Sequence, residues 1–139
     1  MKIIIDSREP PTLIDILKQT IDSSNILIET NNLDIGDIHI YKNITSPHPD
    51  LIIERKSIAD LLSSIKDGRY SEQSYRLDQY PIHNHNIYYL IEGSLEKISN
   101  SIQKQTAYST IFTLSYLKGF SILNSSNIKQ TAEIIRKNL

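Results

Sequence analysis

One stretch, Ile52-Ile53-Glu54-Arg55-Lys56-Ser57-Ile58-Ala59-Asp60, constrains this chain more than any other. Apolar residues run into three consecutive charges, and a helical pattern begins at once. Side chains alternate faces along a strand, so Glu54 and Lys56 share one face and Arg55 takes the other. Ser57-x-x-Asp60 has the form of a capping box, which starts a helix with Ile58, Leu61, Leu62 and Ile65 on one side. The charged triplet alone is common on solvated surfaces. Here it closes an apolar strand and precedes a cap, so strand and helix meet at charged groups.

A second acid lies upstream. Gly36-Asp37 opens the alternating strand Ile38-His39-Ile40-Tyr41, within a longer strand candidate from Ile35, and Gly36 allows a bulge or close backbone approach. A carboxylate can hold a hard cation, and a neighbouring ammonium can orient water or stabilise phosphate charge. The order acid, then Glu-x-Lys, on adjacent strands is a nuclease signature. Earlier still, Lys2–Ile5 reads as a buried strand running into Asp6-Ser7-Arg8-Glu9-Pro10-Pro11. Paired prolines stop it, and Leu13, Ile14, Ile16, Leu17 and Ile21 follow helical spacing. Asp6, Arg8 and Glu9 thus stand at a strand end, a usual place for site residues in an α/β fold. A polar turn with a helix-capping acid fits the same residues equally well.

The other elements follow. Asn25–Thr30 is a strand, Asn43–Asp50 a hairpin loop and Leu51–Lys56 the strand already described. The first helix ends at Asp67-Gly68, where Gly68 takes the left-handed cap. The next helix places Arg69, Gln73 and Arg76 on one stripe, either facing phosphates or solvated, and Tyr70 with Leu77 on another. His39 is read as structural and His83 and His85 as surface residues. Ile87–Gly93 is a strand apolar enough to be central. Ser101–Leu117 is a long helix in which Ile102, Ala107, Ile111, Leu114 and Leu117 favour one side and Tyr108, Phe112 and Tyr116 widen the apolar arc. Such a helix is deeply buried or lies at an oligomer interface. Phe120–Leu123 is a short strand, and Ile128–Leu139 a last amphipathic helix.

With 139 residues, 39% hydrophobic and 22% charged, the chain fits one soluble globular domain. It has no cysteine, which excludes disulfides, thiolate zinc sites and cysteine nucleophiles. No apolar run is long enough to span a membrane, and the first residues reach Asp6 too soon for a signal peptide. An intracellular protein is expected, nuclear if eukaryotic and not secreted. A formal net charge of -1 argues against strong non-specific nucleic-acid binding by this chain alone. It does not exclude a nuclease, because metal-binding acids offset clustered bases.

Taken together, Asp6-Ser7-Arg8-Glu9, Gly36-Asp37, Glu54-Arg55-Lys56 with Asp60, and Asp67-Gly68-Arg69-Tyr70 with Gln73 resemble the nuclease domain of the XPF/MUS-type (ERCC4-domain) structure-specific endonuclease family. Tyr89–Gly93 and Gly119-Phe120 match its later strands. The resemblance covers nearly the whole chain. It implies an α/β fold of the restriction-endonuclease-like PD-(D/E)XK type, a mixed central sheet flanked by helices. It also implies metal-dependent incision of DNA near single-strand/double-strand junctions: 3′ flaps, forks and other branched intermediates. By that carry-over Asp37 and Glu54 hold Mg²⁺, with Mn²⁺ able to substitute, and Asp6 and Glu9 complete the acidic cluster or serve a second ion. Lys56 orients the attacking water or scissile phosphate, Arg55 and Asp60 support the site, and Arg8, Arg69, Gln73 and Arg76 are DNA-binding candidates. The family also pairs through this domain, so a homo- or heterodimer is expected, with the Ser101–Leu117 and C-terminal helices as the candidate interface. No tandem helix-hairpin-helix element is found in residues 1–139, so a single nuclease domain is expected, either a domain excised from a longer protein or a minimal protein that borrows DNA affinity from a helix-hairpin-helix partner. Two other readings compete: a catalytically inactive DNA-binding or scaffolding subunit, and a restriction or repair endonuclease of another family with this fold.

Overall fold

The computed structural model describes residues 1–137 and 139. Alternating apolar residues make a mixed sheet with two cores. Strand β1 (Lys2–Asp6) leads to α1 (Pro11–Thr20), β2 (Leu27–Asn31), β3 (Ile38–Tyr41), β4 (Leu51–Ser57), α2 (Ile58–Lys66) and α3 (Arg69–Asp78). Then come β5 (Ile87–Glu92), α4 (Ser101–Phe112), β6 (Ser121–Ser125) and α5 (Ile128–Lys137). The six strands lie in the order β2-β1-β3-β4-β5-β6. Strand β3 runs antiparallel to both β1 and β4, whereas β1–β2, β4–β5 and β5–β6 are parallel.

The period of two divides the strands between two helical layers. Ile3, Ile5, Ile38, Ile40, Ile53 and Leu90 pack with Leu13 and Leu17 of α1 and Ala132 and Ile135 of α5. The intervening residues Ile52, Ile87, Tyr89 and Ile91 pack with Leu61 of α2, Leu77 of α3 and Leu114. Helix α2 starts as its sequence dictates: Ser57 is extended, and its hydroxyl accepts from the Asp60 backbone N–H at 3.1 Å.

Three expectations need correction. Strand β3 begins at Ile38 instead of Ile35, because Gly36 takes φ +70 and breaks the extended run. The turn is forced by packing as well, since a Cβ at Gly36 would lie 2.5 Å from Ile52 Cγ2. The long helix is not deeply buried: Ile102, Phe112, Tyr116 and Leu117 are 75%, 62%, 73% and 71% exposed. Its last turn, Thr113–Leu117, is π-helical, with the Lys118 N–H donating to Thr113 O. That wider turn shifts the register, keeping Leu114 inside and sending Leu117 out. Helix α5 spends its apolar face on the sheet, where Ile128, Ala132, Ile135 and Leu139 join the first core. The candidate interface therefore narrows to α4 and its π turn; Asn138, in the helix expected to reach Leu139, lies outside the described residues.

Gly36→Ala adds both left-handed strain and a clash, and should cost about 3 kcal/mol. Urea denaturation checks this; a loss under about 0.5 kcal/mol would show that the turn relaxes freely.

Candidate active site

The site grows from one backbone joint. The Asp37 N–H donates to Ile53 O and its carbonyl accepts from the Asp6 N–H, both at 2.8 Å, so Asp37 bridges β1 and β4. Its side chain returns to β4, where Asp37 Oδ2 accepts from the Arg55 N–H at 2.7 Å. Three peptide contacts thus bring the ends of three strands, and their acids, to one place.

A cleft of about 270 Å³ opens there, and Asp6, Glu9, Asp37, Glu54, Gln73 and Arg76 line it. Arg8 lines it as well, while Arg55, Lys56, Asp60 and Arg69 do not. Asp60 lies exposed in the first turn of α2. Arg69 donates to Asp67 Oδ2 at 2.8 Å, and its exposed guanidinium serves the turn before α3. Helix α3 presents Gln73 and Arg76 to the cleft, and Arg76 is anchored by donating to Asp34 O at 2.6 Å.

Electrostatics separates the acids. Burial raises the Asp6 carboxyl, but three hydrogen bonds from Arg8 outweigh it, leaving its pKa below the ordinary value. Glu54 is 9% exposed, and burial first, then repulsion from Asp37, pushes its pKa up to about 8. Burial likewise lifts Asp37 to about 6, against the pull of the Arg55 N–H and Lys56. Glu9 is raised to about 7 by burial and by Asp37, with Arg55 opposing. Lys56 is buried, and its ammonium lies 3.9 Å from Glu54 Oε1.

Arg55 lies on the opposite face, as alternation requires. Its guanidinium donates to Glu9 Oε2 at 2.8 Å and, through Nε and Nη2, to both oxygens of Glu92 at 3.0 Å. Sequence reasoning passed over Glu92. The available signal was a lone acid ending the apolar run Ile87–Ile91. His39 is structural, buried with its ring nitrogen on Ile35 O, and the His83 and His85 rings lie 5.3 Å apart on exposed residues.

The oxygen donors suit a hard divalent cation. Asp37 and Glu54 are carboxylates whose ionised forms are disfavoured by burial and by each other, a penalty that a cation between such groups relieves. Glu9 Oε1 is also buried without a hydrogen-bond partner. Among the described residues no three His, Asp or Glu side chains converge as a ready-made cage. Asp6 and Glu9 are instead engaged by Arg8 and Arg55. Protein oxygens from Asp37 and Glu54, completed by water and phosphate, match the way Mg²⁺ is usually held.

The pattern of side chains has counterparts elsewhere. A family profile, ERCC4 domain, matches residues 5–137. The chain belongs to the ERCC4-domain family. It is 37% identical over 123 residues to "Probable crossover junction endonuclease mus81" of Dictyostelium discoideum, covering 83% of this chain and 13% of that protein. It is 36% identical over 84 residues to "Structure-specific endonuclease subunit MUS81" of Rattus norvegicus, covering 60% of this chain and 15% of that one. The ERCC4 domain therefore spans less than a fifth of the length of these relatives. Among solved structures, XPF from Aeropyrum pernix superposes with a TM-score of 0.77 at 24% identity, over 99% of this chain and 62% of that one. The same protein in complex with DNA gives a TM-score of 0.72 at 23% identity, over 98% and 62%. The expected fold is thereby borne out: this ERCC4 domain is an α/β, restriction-endonuclease-like mixed sheet between helices.

The raised acids fix how the ERCC4 domain responds to pH. Each binds its proton more tightly folded than unfolded, so stability falls as pH rises from about 4.5 toward the folded value near 8. Glu54→Gln removes the largest of these terms. It should make the metal-free protein more stable at pH 8 by roughly 1–3 kcal/mol and flatten the decline from pH 5 to 8. Thermal melts across that range check it.

Proposed function

We propose that the chain is a metal-dependent DNA endonuclease domain that hydrolyses phosphodiester bonds near single-strand/double-strand junctions. One observation carries the reading: within an ERCC4 domain, Asp37 and Glu54 line one cleft as buried carboxylates with raised pKa values, and the buried Lys56 ammonium lies 3.9 Å from Glu54 Oε1. The relatives are named as crossover junction and structure-specific endonucleases, and the archaeal XPF was solved with DNA. These names support a branched or flapped DNA substrate.

In this mechanism Asp37 and Glu54 hold Mg²⁺, with Mn²⁺ as a substitute. When bound, the ion polarises a phosphoryl oxygen and lowers the pKa of a bound water. Everything else falls to the chain. Glu54 and Asp37 must be ionised to serve, so both protons leave before the site is competent. Lys56 Nζ donates to the attacking water or a non-bridging phosphate oxygen. Arg76 and Gln73, on the α3 wall, hold the DNA backbone in register, and exposed Arg8 neutralises a flanking phosphate. Asp6 sets Arg8, and Arg55 sets Glu9. Asp60 and Arg69 act in this reading by fixing the ends of α2 and α3.

Association with a second ERCC4 domain, identical or not, fits the exposed apolar residues of α4, and the rat relative is itself named a subunit. A helix-hairpin-helix partner would supply the duplex affinity that a net charge of -1 withholds. The inactive-subunit reading has less support, because Asp6, Glu9, Asp37, Glu54 and Lys56 are all present.

The deciding assay uses labelled 3′-flap, fork and linear duplex DNA with Mg²⁺, Mn²⁺ or EDTA. Cutting near the junction should need the metal. Asp37→Asn should lower the rate at least about 10³-fold with the fold intact by circular dichroism, and Lys56→Ala should slow kcat more than it raises KM. Half-maximal activity should need less Mg²⁺ as pH rises from 6 to 8, because proton and metal compete for Asp37 and Glu54. Uncut DNA at high protein concentration, with a helix-hairpin-helix partner present, favours the inactive subunit. Sedimentation at tens of micromolar should show a dimer that Phe112→Asp dissociates; a monomer throughout rejects the α4 interface.

A further inference from the structure

Arg55 is shared, and the sharing has a chemical effect. A guanidinium facing a lone carboxylate normally closes on both oxygens with two parallel N–H bonds. Here Glu92 takes Nε and one Nη2 N–H, each at 3.0 Å, which fixes the plane and direction of the guanidinium, and in that orientation Nη1 meets Glu9 at Oε2 alone, at 2.8 Å. Glu9 lines the cleft, and its Oε1 stays buried without a hydrogen-bond partner.

Glu92 is itself held. Thr131 Oγ1 of α5 lies 2.6 Å from Glu92 Oε2, to which it donates, and 2.6 Å from Ser125 Oγ at the end of β6. Thr131 is fully buried and Ser125 1% exposed, so water does not compete for these contacts. A buried hydroxyl must spend its one proton on a partner. Giving it to Glu92 Oε2 holds that carboxylate in the orientation in which it accepts from Arg55. The chain Ser125–Thr131–Glu92–Arg55–Glu9 runs from the α5 layer to the cleft.

We infer that Glu92, locked by Thr131, is a positioning residue that orients the Arg55 guanidinium so that it meets Glu9 at Oε2 alone and leaves Oε1 uncommitted beside the cleft. It touches neither DNA nor a metal. Removing its charge frees Arg55 to clamp both Glu9 oxygens. The inference rests on the nuclease reading for its consequence in catalysis, and on geometry alone for the state of Arg55.

The test uses the full chain, with two readouts. The Arg55 Nε–H, buried against Glu92, should give a slowly exchanging NMR resonance, assigned by its loss in Arg55→Lys. Glu92→Gln should shift it or speed its exchange, and Thr131→Val should do so more weakly. On flap DNA, Glu92→Gln should lower kcat by about 10- to 100-fold while KM changes less than about 2-fold. Added to Arg55→Lys, it should cost less than about 2-fold more, because it acts through Arg55. Ile135→Ala, which loosens α5 without touching the network, should keep wild-type kcat below its own melting temperature. Wild-type kcat in Glu92→Gln, losses that multiply with Arg55→Lys, or an equal loss in Ile135→Ala would each overturn the inference. If the unaltered chain cuts nothing even with a helix-hairpin-helix partner present, the nuclease reading falls and the resonance alone decides: unmoved in Glu92→Gln, it rejects the shared Arg55; moved, it supports it.

Discussion

Everything at the site depends on one peptide, that of Asp37. Its N–H and C=O join β4 to β1, and its carboxylate accepts from the next β4 peptide but one. The left-handed Gly36 before it lets the chain turn sharply enough to make all three contacts. Without that joint the acids of the first and fourth strands would belong to different surfaces. With it, the chain buries carboxylates near one another, and their raised pKa values come first from that burial and then from their neighbours. A proton or a cation relieves such groups, which is the physical reason to expect a cation at this cleft.

The basic residues divide along similar lines. Lys56 shares a face with Glu54 and lies 3.9 Å from it, whereas Arg55 faces the other layer and is held by Glu9 and Glu92. Adjacent residues of one strand therefore do opposite jobs because of alternation alone. Buried ion pairs add little stability for the desolvation they cost, but they fix geometry when every arm is used. All the arms that Arg55 extends to acids are matched.

Much of this was legible in the sequence because it is local. Glu54 and Lys56 share a face by period, Ser57 caps by residue type, and the two cores follow from alternating isoleucines. Asp37 was legible as the acid before Glu-x-Lys, whereas the resemblance supplied roles for Asp6 and Glu9 that spacing left open and carried most of the weight for Asp60, Arg69 and Gln73. What the sequence hid is non-local. Glu92 matters through a partner 37 positions away, and nothing in Tyr89–Gly93 names Arg55 as that partner. The exposure of Leu117 was hidden too, since helical spacing assumes one continuous register and the π turn at Thr113 breaks it. Arg69 shares a stripe with Gln73 and Arg76, yet Asp67 sits two residues before it and draws its guanidinium to the turn.

The β3–β4 hairpin has a use of its own. Asp6, Asp37 and Glu54 gather where β1 and β4 end and β3 begins, so the loop joining β3 to β4 lies at the far end of the same strands. Its tip, Asn43–Thr45, is exposed and held by its own Asn43 side chain. Such tips accept insertions with little effect on the scaffold. A fluorophore or surface tether placed there would leave the cleft open, giving single-molecule work on this domain a handle that the fold already provides.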